Sequence, residues 1–184
     1  MRPRPPPYLP IVLTRSSPHR PSQLGWPTAN LDPAAFESTL DNQEEGVYIG
    51  WAALEDASLP PESRKVHKAV LSIGWNPTFQ NEQRTVEAYL CHDFGHDFYD
   101  AKMRLLVCGY VRPQENFFVE GVPYESAMAT LVEAIAADVE FGQSQLEEPE
   151  MLAFKEDAFF AGAAAEGAAG DGAVVEGAQE GAPS

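Results

Sequence analysis

The chain reads as an antiparallel β-barrel or β-sheet with one helix packed against it. Three observations carry that expectation. Apolar residues alternate with period two through four segments between Gly46 and Val111. The period then lengthens to that of an amphipathic helix between Tyr124 and Gln145. The links between strands are too short for helical crossovers, which argues against a doubly wound parallel fold.

The first strand candidate is GVYIGWAA (46–53), rich in β-branched and aromatic residues. In VHKAVLSIG (66–74), Ala69, Leu71 and Ile73 share one face, with His67, Lys68 and Ser72 as polar punctuation. GWNP (74–77) then breaks the pattern and must turn or loop. In TVEAYLC (85–91), Val86, Ala88 and Leu90 share a face opposite Thr85, Glu87, Tyr89 and Cys91. In MRLLVCGYV (103–111), Met103, Leu105 and Val107 alternate with Arg104, Leu106 and Cys108, and Arg112-Pro113 ends the strand. The helical stripe is Met128, Leu131, Val132, Ile135 and Val139, with Glu133, Asp138 and Glu140 off it. Its composition is that of a core-facing stripe.

Length and charge bound the rest. The 184 residues suit one domain with tails. The first twenty residues hold four arginines and no acid, and residues 1–10 are expected to be disordered. The Ala, Gly and acid-rich run 161–184 has little to bury and is expected to be disordered too, leaving 11–160 as the folded unit. A net charge of −16 argues against a nucleic-acid partner. No apolar run reaches the length of a membrane span, and MRPRPPPYLP lacks the apolar region of a secretory signal. Cys91 and Cys108 lie in apolar, strand-like runs and are expected to be reduced core thiols of an intracellular, cytoplasmic chain.

Four places offer chemistry. In LGWPTANLD (24–32), Thr28 and Asn30 point to one face of an extended segment. Two hard oxygen ligands there suit a magnesium ion shared with substrate phosphates, but these residues alone favour a turn entering a strand, in which Asn30 bonds its own backbone. Glu87 is an acid flanked by Val86 and Ala88. It is either a solvated strand residue pairing Arg84 or a cross-strand Arg104, or a general base on a rigid strand. HDFGHDFYD (92–100) places His92 and His96 four apart, but Gly95 argues for a loop, where that spacing carries no metal geometry. Its Phe94, Phe98 and Tyr99 either wall a planar ligand or anchor the loop. In RPQENFF (112–118), Arg112 either caps a strand end or touches a ligand.

These stretches together resemble one family. LGWPTANL resembles the LGIPTANL-type motif of riboflavin kinases. GVYIGWA, LSIGWNPTFQNEQRTVEAYL, HDFGHDFYDAKMRL and GYVRPQENF resemble that family's further motifs in order, and LEEPEMLAFKEDAFF its usual ending. The likeness runs from about Leu24 to Phe160. It implies a closed six-stranded antiparallel barrel with Greek-key features and a C-terminal amphipathic helix. It also implies phosphoryl transfer from ATP to the ribityl 5′-hydroxyl of riboflavin, giving FMN. By that resemblance Thr28 and Asn30 ligate magnesium, with other divalent ions such as zinc admitted, and Glu87 takes the hydroxyl proton. Leu90, His92 and Tyr99 then line the nucleotide, and Arg112, Glu115 and Phe117 the flavin. The family often has lysine where Glu115 stands. The monofunctional eukaryotic form is the one resembled, as a monomer. Too little chain lies outside the barrel for an FMN-adenylylating domain.

One segment departs from the pattern. The family carries a G-F-G-R-G-S-K-like loop before this motif, whose glycines let backbone N–H groups approach phosphate. Here SSPHRPSQLG (16–25) keeps only Gly25, and Pro18 and Pro21 lack a donor. The strand before the loop is hard to discern in PIVLTR. Three readings stand: an erroneous stretch of coding sequence, a remodelled ATP loop, or a flavin-binding protein that has lost kinase activity.

Overall fold

The computed structural model describes residues 9–13, 16–17, 26, 28–31, 43–74, 84–95 and 101–161. The two segments expected to be disordered lie almost wholly outside these residues. Seven strands form one antiparallel sheet: β1 (Leu9–Leu13), β2 (Ser16–Ser17), β3 (Thr28–Leu31), β4 (Gly46–Glu55), β5 (His67–Gly74), β6 (Thr85–Leu90) and β7 (Lys102–Arg112). Their order across the sheet is β1-β7-β4-β5-β6-β3-β2. PIVLTR does contain a strand: β1 pairs with β7, from Leu9↔Val107 to Leu13↔Met103, and starts within the stretch expected to be unstructured.

This order forces curvature. A flat sheet would hold β1 and β2 about 29 Å apart across six strand spacings. Leu13 and Ser16 are three residues apart, so their Cα atoms lie within about 11 Å. The sheet must roll to bring its edges together. The face it encloses carries Ala29, Leu31, Tyr48, Ala52, Leu54, Ala69, Leu71, Ile73, Val86, Ala88, Leu90, Met103, Leu105 and Val107 in one buried cluster. These include every residue that the period-two pattern assigned to the inner faces of β5, β6 and β7. The six-stranded closed barrel is met in coarser form, as a rolled antiparallel sheet with helices against it. Among the described residues no ladder joins β1 to β2.

The outer face of β4, β5 and β7 carries a second cluster, with Val47, Ile49, Trp51, Val70, Leu106 and Cys108. Helix α1 (Tyr124–Gln145) and the short α2 (Pro149–Leu152) follow β7 in the chain. Val139, Leu146 and Phe160 from this helical region complete the cluster. Polar clamps hold the layer. The Trp51 indole N–H donates to the Met151 carbonyl at 2.9 Å. Lys68 donates to the Gln143 carbonyl at 2.9 Å near the α1 C-terminus, where a cation also suits the helix dipole, and it pairs with Glu147. Arg104 donates to the Phe159 carbonyl at 3.2 Å and lies over the Phe159 ring.

The helical stripe is corrected in detail. Of its expected members only Val139 is buried, while Met128, Leu131, Val132 and Ile135 are half-buried. Asp138, assigned to the solvent side, is buried instead, because Arg112 pairs with it. Gly142 sits where α1 touches the sheet: a Cβ there would lie 2.8 Å from Ile49 Cγ2 and 2.9 Å from Val70 Cγ2. Gly142→Val should therefore push the helix off β4 and β5. It should cost about 1–3 kcal/mol of stability, read as a lower urea midpoint with an unchanged slope.

Candidate active site

Burial along β3 alternates, with Ala29 and Leu31 buried inside and Thr28 and Asn30 half-exposed on the outer face. The Thr28 and Asn30 side chains do share a face, as the extended reading requires. Trp26, just upstream, packs against the outer apolar cluster and anchors the entry to the strand. On β6, Val86, Ala88 and Leu90 point inward and Thr85, Glu87 and Tyr89 outward.

Register then assembles what sequence could not. Asn30 lies directly opposite Glu87, and Thr28 opposite Tyr89. On its other side Glu87 lies opposite Ser72 of β5. Ser72 is opposite Val47 of β4, and Val47 is opposite Arg112 of β7. Directly opposed residues share a face with Cβ atoms about 5 Å apart. Asn30, Glu87, Ser72, Val47 and Arg112 therefore form one row across the outer face. Ser17 of β2 continues it, opposite Asn30. The segment that departs from the family pattern thus enters the fold beside this row; its residues 18–25 lie outside the described residues.

The RPQENFF segment reaches the same row. Gln114 Nε2 donates to Ser72 Oγ at 2.7 Å. Arg112 is held by Asp138 of α1 through two parallel bonds, Nε to Oδ1 at 2.8 Å and Nη2 to Oδ2 at 2.7 Å. That fork raises the Arg112 pKa above its ordinary value. Arg112 thus closes the end of β7 onto the helix. Glu115 is exposed, 3.7 Å from Arg112 Nη1. Phe117 is half-buried, and the exposed Phe118 packs on Tyr124 with ring centroids 5.6 Å apart.

Other expected positions lie elsewhere. Leu90 is buried in the inner cluster, on the face opposite Glu87. His92, two residues past β6, stacks on His67, the first residue of β5, with centroids 4.2 Å apart. Phe94 packs edge-on against both rings. This aromatic group sits at one end of the sheet. Tyr99, Phe98 and His96 lie outside the described residues. The proposed pairing of Glu87 with a cross-strand Arg104 is overturned: β6 and β7 are not neighbours, and Arg104 pairs with the buried Glu55 of β4, which Lys102 also contacts at 2.8 Å. Arg84 donates to the Gln43 carbonyl at 2.7 Å.

Ser72, Gln114, Asp138 and His67 are the residues that sequence reasoning passed over as possible site members. Ser72 and His67 were visible only as polar breaks in an apolar strand. Among the described residues no group of three or more His, Cys, Asp or Glu could hold a metal ion. Both cysteines are free, and burial pushes the thiols up, Cys91 to about 11 and Cys108 to about 12, so neither is a ready nucleophile.

The histidine stack gives a pH dependence. Burial, and then the neighbouring His92, lowers the His67 pKa from its ordinary 6.5; the Glu62 carbonyl 3.1 Å from Nε2 works weakly against them. The fold keeps His67 neutral where the unfolded chain takes up a proton. This contribution to stability is therefore complete above about pH 6.5 and is lost as pH falls below it. His67→Gln should flatten the fall in urea midpoint between about pH 7.5 and 5.5.

Comparison with known proteins follows the same residues. The family model described as "Flavokinase: Riboflavin kinase" matches residues 15–146. The chain is 37% identical over 138 residues to the human protein named riboflavin kinase, covering 75% of this chain and 79% of that one. It is 40% identical over 136 residues to the Arabidopsis thaliana bifunctional riboflavin kinase/FMN phosphatase, covering 74% of this chain but spanning only 32% of that protein's length. The crystal structure of riboflavin kinase from Trypanosoma brucei superposes with a TM-score of 0.62 at 28% identity, covering 86% of this chain and 91% of that one. With its motifs in order and its rolled sheet and helical layer in place, the chain belongs to the riboflavin kinase family.

Proposed function

We propose that this chain transfers the terminal phosphate of ATP to the 5′-hydroxyl of riboflavin, producing FMN and ADP. The observation that carries the reading is the register Thr28–Asn30–Glu87, which sets two neutral oxygen ligands beside one carboxylate on a single outer face. Phosphoryl transfer asks little covalent help of a protein; it needs positioning and charge neutralisation.

Glu87 acts as the base. Its carboxylate accepts the proton of the 5′-hydroxyl, whose oxygen attacks the terminal phosphorus as the bond to the ADP oxygen breaks. The Thr28 hydroxyl and the Asn30 amide oxygen suit a divalent ion that arrives with the nucleotide. An ion shared with phosphates needs few protein ligands, in keeping with a described region that offers no carboxylate or histidine cluster. All-oxygen donors favour magnesium over zinc, which prefers nitrogen and sulfur. Such an ion, when bound, supplies the neutralisation that Arg112 cannot supply freely, since Asp138 already neutralises it. His92, in its stack with His67 and Phe94, offers a flat wall to the nucleotide, which Tyr99 joins in the family pattern; Leu90, buried in the inner cluster, supports β6 from behind and does not face the ligand. Phe117, Arg112 and Glu115 flank the flavin.

The same reading closes the barrel. Leu9–Leu13 on β7 and Ser16–Ser17 on β3 act as two halves of one strand, which gives six strands in all. A monomer working in the cytoplasm fits the two free thiols. The folded unit then runs to about Phe160, whose side chain is buried in the outer cluster.

Glu87→Gln removes the base and almost no volume. Turnover should fall by about 10²–10⁴-fold, while riboflavin affinity, read by quenching of flavin fluorescence, stays within about twofold of wild type. Turnover at the wild-type rate would show that another group takes the proton.

A further inference from the structure

Glu87 has two cross-strand neighbours, and the Thr28–Asn30–Glu87 reading uses only one. On the β5 side it faces Ser72. The Ser72 hydroxyl oxygen accepts a bond from Gln114 Nε2 at 2.7 Å. A hydroxyl has one proton to give. With the Gln114 N–H approaching its lone pair, that proton is left for an acceptor other than Gln114 Nε2. The acceptor opposite, with Cβ about 5 Å away, is the Glu87 carboxylate.

Space for this arrangement is built into the next outward turn of β5. A Cβ at Gly74 would meet the Gln114 amide, so a side chain there would displace the amide from its place across the strand. Gln114 belongs to the exposed segment after β7, whose other end is fixed by the Arg112–Asp138 fork. The amide is thus delivered to Ser72 from a loop anchored two residues upstream.

We propose that Gln114 and Ser72 form a relay that orients the Glu87 carboxylate, so that seating the 112–118 loop aligns the base. Both are positioning residues: they act through Glu87 and do not touch the reacting atoms. The inference rests on Glu87 as the base. It adds that the loop on the flavin side and the base are one mechanical unit, in which loop order appears in the chemical step.

A simple tether predicts something different. If the Gln114–Ser72 bond only fastened the loop, losing it would raise the riboflavin KM and spare kcat. The relay predicts the reverse. Ser72→Ala and Gln114→Ala should each lower kcat about tenfold or more, with KM for riboflavin and ATP within about twofold. Ser72→Thr, which keeps the hydroxyl, should restore most of the rate. The Ser72→Ala/Gln114→Ala double variant should be no slower than Ser72→Ala, since both remove the same bond. Gln114 is exposed, so its variant tests the idea even if the Ser72 change disturbs folding. Wild-type kcat in either alanine variant, or a loss confined to the riboflavin KM, would overturn the relay. Glu87→Gln, run alongside, separates the two claims. If it is inactive while the alanine variants turn over normally, the relay alone is wrong; if it turns over normally, the base assignment fails and the relay with it.

Discussion

The site depends on the pairing register of β3, β6 and β5. A slip of one residue would send every side chain of a strand to the other face. Here the slip is blocked from inside. Val86, Ala88 and Leu90 on β6, Ala29 and Leu31 on β3, and Ala69, Leu71 and Ile73 on β5 all belong to one buried cluster. At roughly 25 cal/mol per Å², exposing even a few of them costs several kcal/mol. Keeping those residues inside leaves Asn30, Glu87 and Ser72 outside and level with one another. The polar row is positioned by the apolar face behind it.

The helical layer governs the other end of that row. Helix α1 packs over β4 and β5, close enough at Gly142 to exclude even a methyl group. Its buried Asp138 fixes Arg112, and Lys68 fixes its C-terminus. A partly buried fork of this kind adds less to net stability than to geometry, because both charges give up hydration to form it. It fixes where β7 ends and the 112–118 loop begins, and that loop delivers Gln114 to Ser72.

Much of the fold was legible as pattern. Period-two alternation identified β4 to β7 and the inward residues of β5, β6 and β7, because burial of one face imposes that period. It missed β1 and β2, five and two residues long, since PIVLTR lacks a polar partner for each apolar residue. It also put Asp138 on the wrong side, because a carboxylate is assigned to solvent unless its partner is known, and Arg112 comes from a strand 26 residues away. Individual site residues stood out where they broke a local rule, as Glu87 did. Their assembly did not, because cross-strand register is a tertiary fact. Ser72 acquires meaning only through Glu87 on one side and Gln114 above it, and the glycine that admits Gln114 reads in sequence as the start of a turn.

The most direct measurement is product formation by the chain as it stands, with Pro18 and Pro21 in place of a glycine-rich loop. The purified protein would be incubated with riboflavin and Mg-ATP and the flavins separated by chromatography. The account predicts FMN, formed in proportion to enzyme and time. A folded chain that binds riboflavin and yields none would contradict it: the outer row would then hold a flavin without acting on it.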